Sequence, residues 1–146
     1  MHKICFVCLG NICRSPMAEY MMRDMVSKKG LEKEYFIVSR GTSYEEDGND
    51  LYPPVKELFK EKNIPYGKHR ATRLEKEDYS LYDVFYCMEE RNLERAIQIL
   101  GGDPYHKVKL LLDRDISDPW YTRNFDITYN DLIEGIDLII QNKEFQ

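Results

Sequence analysis

Cys8, Cys13, Arg14 and Ser15 crowd into one short run, ICFVCLGNICRSPMAEY, residues 4–20. A thiolate is a strong nucleophile. A guanidinium offers a planar fork that matches two oxygens of a phosphate. Between them lie Gly10 and Asn11, residue types that tolerate left-handed backbone and so let a loop curl. A loop that feeds into a helix can wrap its unpaired N–H donors around an anion, helped by the partial positive charge at the helix start. The same donors and charge would favour the Cys8 thiolate over its thiol. The chemistry implied is attack by sulfur on a bound phosphoryl group. The nucleotide-binding glycine loop with its lysine is absent, which disfavours an ATP or GTP site. Spacing alone is weak support. With four cysteines and nine arginines, a Cys followed six positions later by Arg arises by chance roughly one time in four. The surrounding pattern of strand, Gly-Asn, Ser-Pro and helix carries the weight.

The elements that must hold this loop can be read along the chain. Lys3 to Cys8 is a short apolar run bounded by a Gly-Asn turn, hence a buried strand. Pro16 suits the first position of a helix with Ser15 as its cap. Met17, Met21 and Met25, with Ala18 and Val26, give that helix one apolar face. Further strands are expected at Tyr35–Ser39, Asp83–Met88 and Val108–Leu112. Pro53 and Pro54 open a helix with Val55, Leu58 and Phe59 buried, and Leu74–Ser80 reads as a short helix. Leu93, Ala96, Ile97 and Leu100 mark a helix stopping at Gly101 and Gly102, and Leu132, Ile133, Ile136 and Ile140 a final one. Four strands separated by helices imply a parallel sheet covered on both faces, whose ligands bind beyond the carboxyl ends of the strands. The loops after Cys8 and after Leu112 should therefore converge on one site.

The chain has 146 residues, a length typical of one domain over 1–146, and enough to hide about 68–70% of its unfolded surface. Its 42% hydrophobic and 32% charged residues are an ordinary globular balance. A net charge of −5 argues against a nucleic-acid partner and requires any anion site to be built locally. The N-terminal apolar run is too short for a signal peptide, and no stretch is long enough to span a membrane. The expectation is a cytoplasmic protein whose Cys5, Cys8, Cys13 and Cys87 are free or catalytic rather than structural disulfides.

The run VCLGNICRSPMAE closely resembles the signature of the low-molecular-weight protein tyrosine phosphatases. DVFYCMEERNL resembles that family's third strand and following helix start, and SDPWY (117–121) its Asp-Pro acid loop. The resemblance implies an α/β three-layer sandwich, a central four-stranded parallel sheet flanked by helices of flavodoxin-like, phosphotyrosine phosphatase I type. It also implies a phosphocysteine intermediate, no metal and no cofactor. Cys8 would be the nucleophile, Arg14 the phosphate clamp, and Asp118 the acid that protonates the departing phenolate and then the base on the hydrolytic water. Pro119 biases Asp118 away from helical backbone, so its carboxylate can reach the loop. Leu9, Gly10, Asn11, Ile12, Cys13 and Ser15 complete the phosphate-binding loop, with Ser15 donating to the thiolate. Ser39 and His69 match positions that brace it. Cys13 would capture an oxidised Cys8 as a disulfide before further oxidation. Tyr44, Trp120 and Tyr121 would form aromatic walls around a phenyl ring. Relatives acting on phosphoarginine carry a threonine where this chain has Ile12, and the branched side chain should narrow the pocket toward phosphotyrosine. The expected partners are phosphotyrosine proteins and inhibitory oxyanions such as phosphate or vanadate. Nucleic acid and membrane are not expected, and the protein should act as a monomer.

Blander readings stand beside these. Cys8 and Cys13 could be small packed residues, Arg14 a surface ion pair, Asp118 a plain Asp-Pro turn, His69 a solvated side chain and Tyr121 ordinary packing. Asp113 and Asp115 are rival carboxylates, but no proline follows them. Arg40 and Gly41 stand where many relatives have small residues, and DGNDLYPP is looser than the family pattern. Two other functions compete. A thioredoxin-coupled arsenate reductase would use the same cradle, but needs two further cysteines in a mobile segment, and beyond Cys13 only Cys87, in a strand, is at hand. A non-enzymatic phosphoprotein binder would keep the cradle and could discard Asp118.

Overall fold

A computed structural model of the chain describes residues 1–142. The last four positions of the expected 1–146 domain lie outside the described residues. The four strands are β1 (His2–Cys8), β2 (Tyr35–Gly41), β3 (Val84–Cys87) and β4 (Val108–Leu110). They form one parallel sheet in the order β2-β1-β3-β4. The helices are α1 (Arg14–Lys28), α2 (Pro53–Lys62), α3 (Asp78–Leu81), α4 (Glu90–Leu100), α5 (Pro119–Thr122) and α6 (Phe125–Gln141).

Alternation along β1 distributes its side chains to two cores. Ile4, Phe6 and Cys8 pack with Met17 and Met21 of α1, Val55 and Phe59 of α2, and Leu132 and Ile136 of α6. Cys5 and Val7 pack on the other face with Leu74, Tyr82, and Ala96 and Leu100 of α4. Both faces are covered, which is why β1 reads as an unbroken apolar run. The strand order is that of the flavodoxin-like doubly wound sheet. The chain leaves β1 toward β2 on one side and returns as β3 on the other, which opens a crevice at the carboxyl end of β1.

Several boundaries differ from expectation. Helix α1 begins at Arg14, with Cys13 as its cap residue and no side-chain cap. Pro16 therefore occupies the third helical position, still within the first turn where a missing N–H is harmless. The expected Ser15 cap does not form because that hydroxyl is used in the site described below. The helix expected at Leu74–Ser80 shrinks to Asp78–Leu81, because Arg73 bridges to Gly41 and Leu74 N–H donates to Gly41 O. Strand β2 runs on to Gly41, while β3 and β4 end earlier than expected. In α4, Ala96 and Leu100 are buried as expected with Asn92, whereas Leu93 and Ile97 are only partly covered. Its C-terminal stop at Gly101 and Gly102 is as read from the sequence, with φ of 82° and 119°. Helix α5 was not foreseen. Asp118 starts it by accepting the Trp120 N–H, so the acid loop is partly helical.

Candidate active site

The loop from Cys8 to Arg14 sits in the crevice beyond β1. Its carbonyls are held from behind by donors from distant segments. Thr42 N–H donates to both Cys8 O and Leu9 O, Ser43 N–H to Leu9 O, and Tyr52 N–H to Ile12 O. His69 Nε2 lies 2.6 Å from Asn11 O. A carbonyl can only accept, so the ring nitrogen carries the proton. With these oxygens turned away, the N–H groups of Gly10, Ile12 and Cys13 make no hydrogen bond among the described residues. Unpaired N–H groups of this kind form an anion cradle.

Cys8 Sγ is 3.0 Å from Ser15 Oγ and accepts the Asn11 N–H at 3.3 Å. Asn11 is 1% exposed and takes φ of 59°. It alone within the loop is left-handed; Gly10 is not. Gly10 instead avoids a close contact, since a Cβ there would lie 3.2 Å from Glu46 Cγ. Asn11 Nδ2 donates to Ser15 Oγ at 2.8 Å and to Ser39 Oγ at 2.9 Å, and its Oδ1 accepts the Thr72 N–H. Ser39 donates to Glu19 Oε1 at 2.6 Å, and Glu19 pairs with Arg23 at 2.7 Å. Ser39 spends its proton on Glu19, so it accepts from Asn11. Ser15 accepts from Asn11, which leaves its own proton for the Cys8 sulfur at 3.0 Å or, at the longer 3.5 Å, the Arg40 carbonyl. Ser15, Asn11, Ser39 and His69 are thus joined to the loop or to one another by hydrogen bonds.

Arg14 is 3% exposed. It donates to Ile116 O at 3.0 Å, pairs with Glu89 at 3.3 Å and with Asp118 at 3.4 Å. Burial works against its charge, but the Cys8 sulfur, Asp118 and Glu89 outweigh it and raise its pKa above the ordinary arginine value. Burial pushes the Cys13 thiol well up, and Cys8 and Asp118 add to the shift. Burial does the same to Cys87 in β3. All four cysteines are reduced.

A cavity of about 180 Å³ opens above the loop, lined by Cys8, Ile12, Arg14, Asp118, Trp120 and Tyr121 among others. The Trp120 ring is steadied by Tyr52, whose centroid is 4.9 Å away. Tyr44 does not line this cavity. It is 61% exposed and is held under Arg73, whose guanidinium lies 4.4 Å from its ring. The wall on that side is formed by Glu45 and Glu46. Asp113 and Asp115 are exposed, and neither lines this cavity.

Residues not singled out from the sequence are Glu19, Asp50, Thr72 and Glu89. Glu19 carried a signal, being a carboxylate set between Ala18 and Tyr20 on an otherwise buried stretch of helix. Asp50 accepts the His69 and Leu51 N–H groups and pairs with Lys56 at 2.7 Å. The Lys56 hydrogen bond above all, with both N–H groups, holds its carboxyl down at about 2. That lies below an unfolded value of about 3.9. Its contribution to stability is therefore present above about pH 4 and lost as pH falls toward 2. Asp50→Asn should lower the melting temperature at pH 7, with the gap to the parent protein closing near pH 2.5. Melting curves across pH test this, and a gap independent of pH would refute it.

Gly41 gives a second expectation. A Cβ there would fall 2.8 Å from Leu9 O and 3.2 Å from the Gly10 carbonyl carbon. The nearest obstacle is backbone, so the loop itself must shift. Gly41→Val should cost about 10–10² in kcat/KM on an aryl phosphate, the scale of a misplaced reacting group. Unchanged kinetics would show that the loop can yield.

The family model described as low molecular weight phosphotyrosine protein phosphatase matches residues 3–141. The chain belongs to this family. The low molecular weight protein-tyrosine-phosphatase YfkJ of Bacillus subtilis is 34% identical over 133 residues, covering 86% of this chain and 85% of that protein. The crystal structure of YfkJ superposes with a TM-score of 0.92 at 31% identity, over 97% of this chain and 93% of that one. A Drosophila arginine phosphatase, DARP, gives a TM-score of 0.85 at 25% identity, over 97% of each chain. Wzb of Vibrio vulnificus, solved in complex with benzylphosphonate, gives 0.83 at 26% identity, over 96% of this chain and 97% of that one. Among the described residues no helix is long and apolar enough to cross a membrane.

Proposed function

We propose that the protein hydrolyses phosphotyrosine in proteins, and small aryl phosphates, through a phosphocysteine intermediate. One observation carries the reading: Cys8 Sγ, with hydrogen bonds from the Asn11 N–H and from Ser15, shares a cavity with Arg14 and Asp118. The phosphoryl oxygens lie in the loop's N–H groups and against the Arg14 fork. Cys8 sulfur attacks phosphorus, an S–P bond forms and the P–O bond to the phenol breaks. Asp118 hands its proton to the departing phenolate. The Asp118 carboxylate then takes a proton from water, which attacks phosphorus, breaks the S–P bond and releases inorganic phosphate. Arg14 stabilises the charge that spreads over the equatorial oxygens.

Membership of the family and the walls built by Ile12, Trp120 and Tyr121 support the phosphotyrosine preference. The likeness to an arginine phosphatase makes phosphoarginine the alternative to test. Phosphate release from phosphotyrosine, phosphoserine, phosphothreonine and phosphoarginine peptides, with vanadate as inhibitor, is the deciding experiment. Phosphotyrosine should lead; equal or greater efficiency on phosphoarginine would overturn the preference.

Cys13 serves as the resolving thiol when Cys8 is oxidised. Peroxide converts Cys8 to the sulfenic acid; the Cys13 sulfur then attacks it, an S–S bond forms, the S–O bond breaks and water leaves. Cys13→Ser should make peroxide inactivation irreversible by dithiothreitol. Full recovery of that variant would refute the role.

A further inference from the structure

A second cavity, of about 490 Å³, adjoins the first and shares Leu9, Arg14, Asp118 and Tyr121 with it. Its far wall is the first turns of α4, where Arg91 and Arg95 are exposed and line the space. The two are four residues apart, so they lie on one helix face. Neither makes a hydrogen bond, ion pair or ring contact among the described residues. The cavity's acids are differently placed. Glu89 and Asp118 are both paired to Arg14, and Asp115 Oδ1 accepts the Glu90 N–H at the start of α4. On the same helix, Asn92 Oδ1 is buried and lacks a partner. Buried polar groups are ordinarily satisfied, and this one has capacity for a polar guest. The opposite side of the reaction cavity carries Glu45 and Glu46 instead. The mouth of the site thus offers two unpaired guanidiniums toward α4 and two carboxylates toward the segment after β2.

We propose that this second cavity is a substrate subsite that holds an acidic side chain one or two positions from the phosphotyrosine, with Arg91 and Arg95 as its cationic wall. The inference rests on the phosphatase reading of Cys8, Arg14 and Asp118. An extended peptide advances about 3.3 Å per residue, so neighbours of a phosphotyrosine seated over Cys8 reach the adjoining space. Glu45 and Glu46 oppose the same charge on the other side, so the peptide is read with polarity. Its acidic flank lies toward α4, and a basic flank is tolerated toward Glu45 and Glu46.

The test compares kcat/KM for phosphotyrosine peptides of equal length with Glu or Lys placed N-terminal, C-terminal or on both sides of the phosphotyrosine. The parent protein should prefer Glu over Lys on one side by about fivefold to tenfold. Arg91→Ala/Arg95→Ala should abolish that preference, and Arg91→Glu/Arg95→Glu should invert it. Para-nitrophenyl phosphate, which has no flanks, should be turned over within about twofold of the parent rate by both variants. Lys29→Glu/Lys33→Glu, beyond the far end of α1, changes net charge equally and should leave the preference intact. Absence of a charge preference, or equal loss in the distant pair, would overturn the subsite. If para-nitrophenyl phosphate itself is not hydrolysed by the parent protein, the phosphatase reading fails instead.

Discussion

Cys8→Ser is expected to lower turnover of phosphotyrosine and of aryl phosphates by about 10⁴–10⁶, the scale seen when a covalent nucleophile is removed. A serine hydroxyl is held protonated at neutral pH and has no base beside it here; Ser15 and the Asn11 N–H are donors. The substitution should spare the fold. A serine oxygen can accept both of the hydrogen bonds that now end on sulfur, and the carbonyls of the loop keep their partners in Thr42, Ser43, Tyr52 and His69. Binding of a phosphotyrosine peptide should therefore survive while chemistry is lost, which calorimetry on the variant can read directly. Residual hydrolysis near the parent rate would remove Cys8 from the mechanism. Loss of peptide binding with an unchanged melting temperature would mean that the sulfur itself shapes the cradle.

Asp118→Ala is the second large effect, about 10²–10⁴ in kcat for a leaving group as basic as tyrosine. The geometry sets the control. Asp118 Oδ1 caps α5 by accepting the Trp120 N–H at 3.0 Å, and Oδ2 faces Arg14. Alanine removes both contacts, whereas Asp118→Asn keeps an acceptor for the cap and removes the proton donor together with the ion pair to Arg14. The two variants should therefore share the kinetic defect, with the asparagine form closer to the parent in thermal stability. Across a series of aryl phosphates the loss should shrink as the leaving phenol becomes more acidic, since a good leaving group departs without protonation. An equal loss across the series would assign Asp118 a positioning role at Arg14 rather than proton transfer.

The parallel sheet was legible because its central strands β1 and β3 are buried on both faces and write themselves as continuous apolar runs, and the edge strands β2 and β4 still carry short apolar segments. The candidate site was legible because a thiol and a guanidinium, Cys8 and Arg14, lie six residues apart in one loop. What escaped is what depends on distant pairing. Ser15 looks like a helix cap locally, yet its hydroxyl is claimed by Cys8 across the loop, and the helix starts without it. Tyr44 looks like a wall aromatic, but Arg73, remote in sequence, holds its ring and leaves Glu45 and Glu46 at the cavity. Asp50 gives no local sign of supporting His69. Arg91 and Arg95 were not singled out in the sequence, and only the fold brings them beside the phosphate loop.

The way the loop carbonyls are held has a thermodynamic consequence. Their donors come from the segment just after β2, the entry to α2 and the stretch before α3, spread over residues 42–69. No fragment can assemble the cradle alone, so an oxyanion finds it only in the native state. On the proposed reaction orthophosphate, its product, would then act as a folding ligand. At a hundred times its dissociation constant it would add about 2.7 kcal/mol to the stability of the whole molecule. A phosphate-rich medium would protect this enzyme from unfolding at the same concentrations at which it slows it.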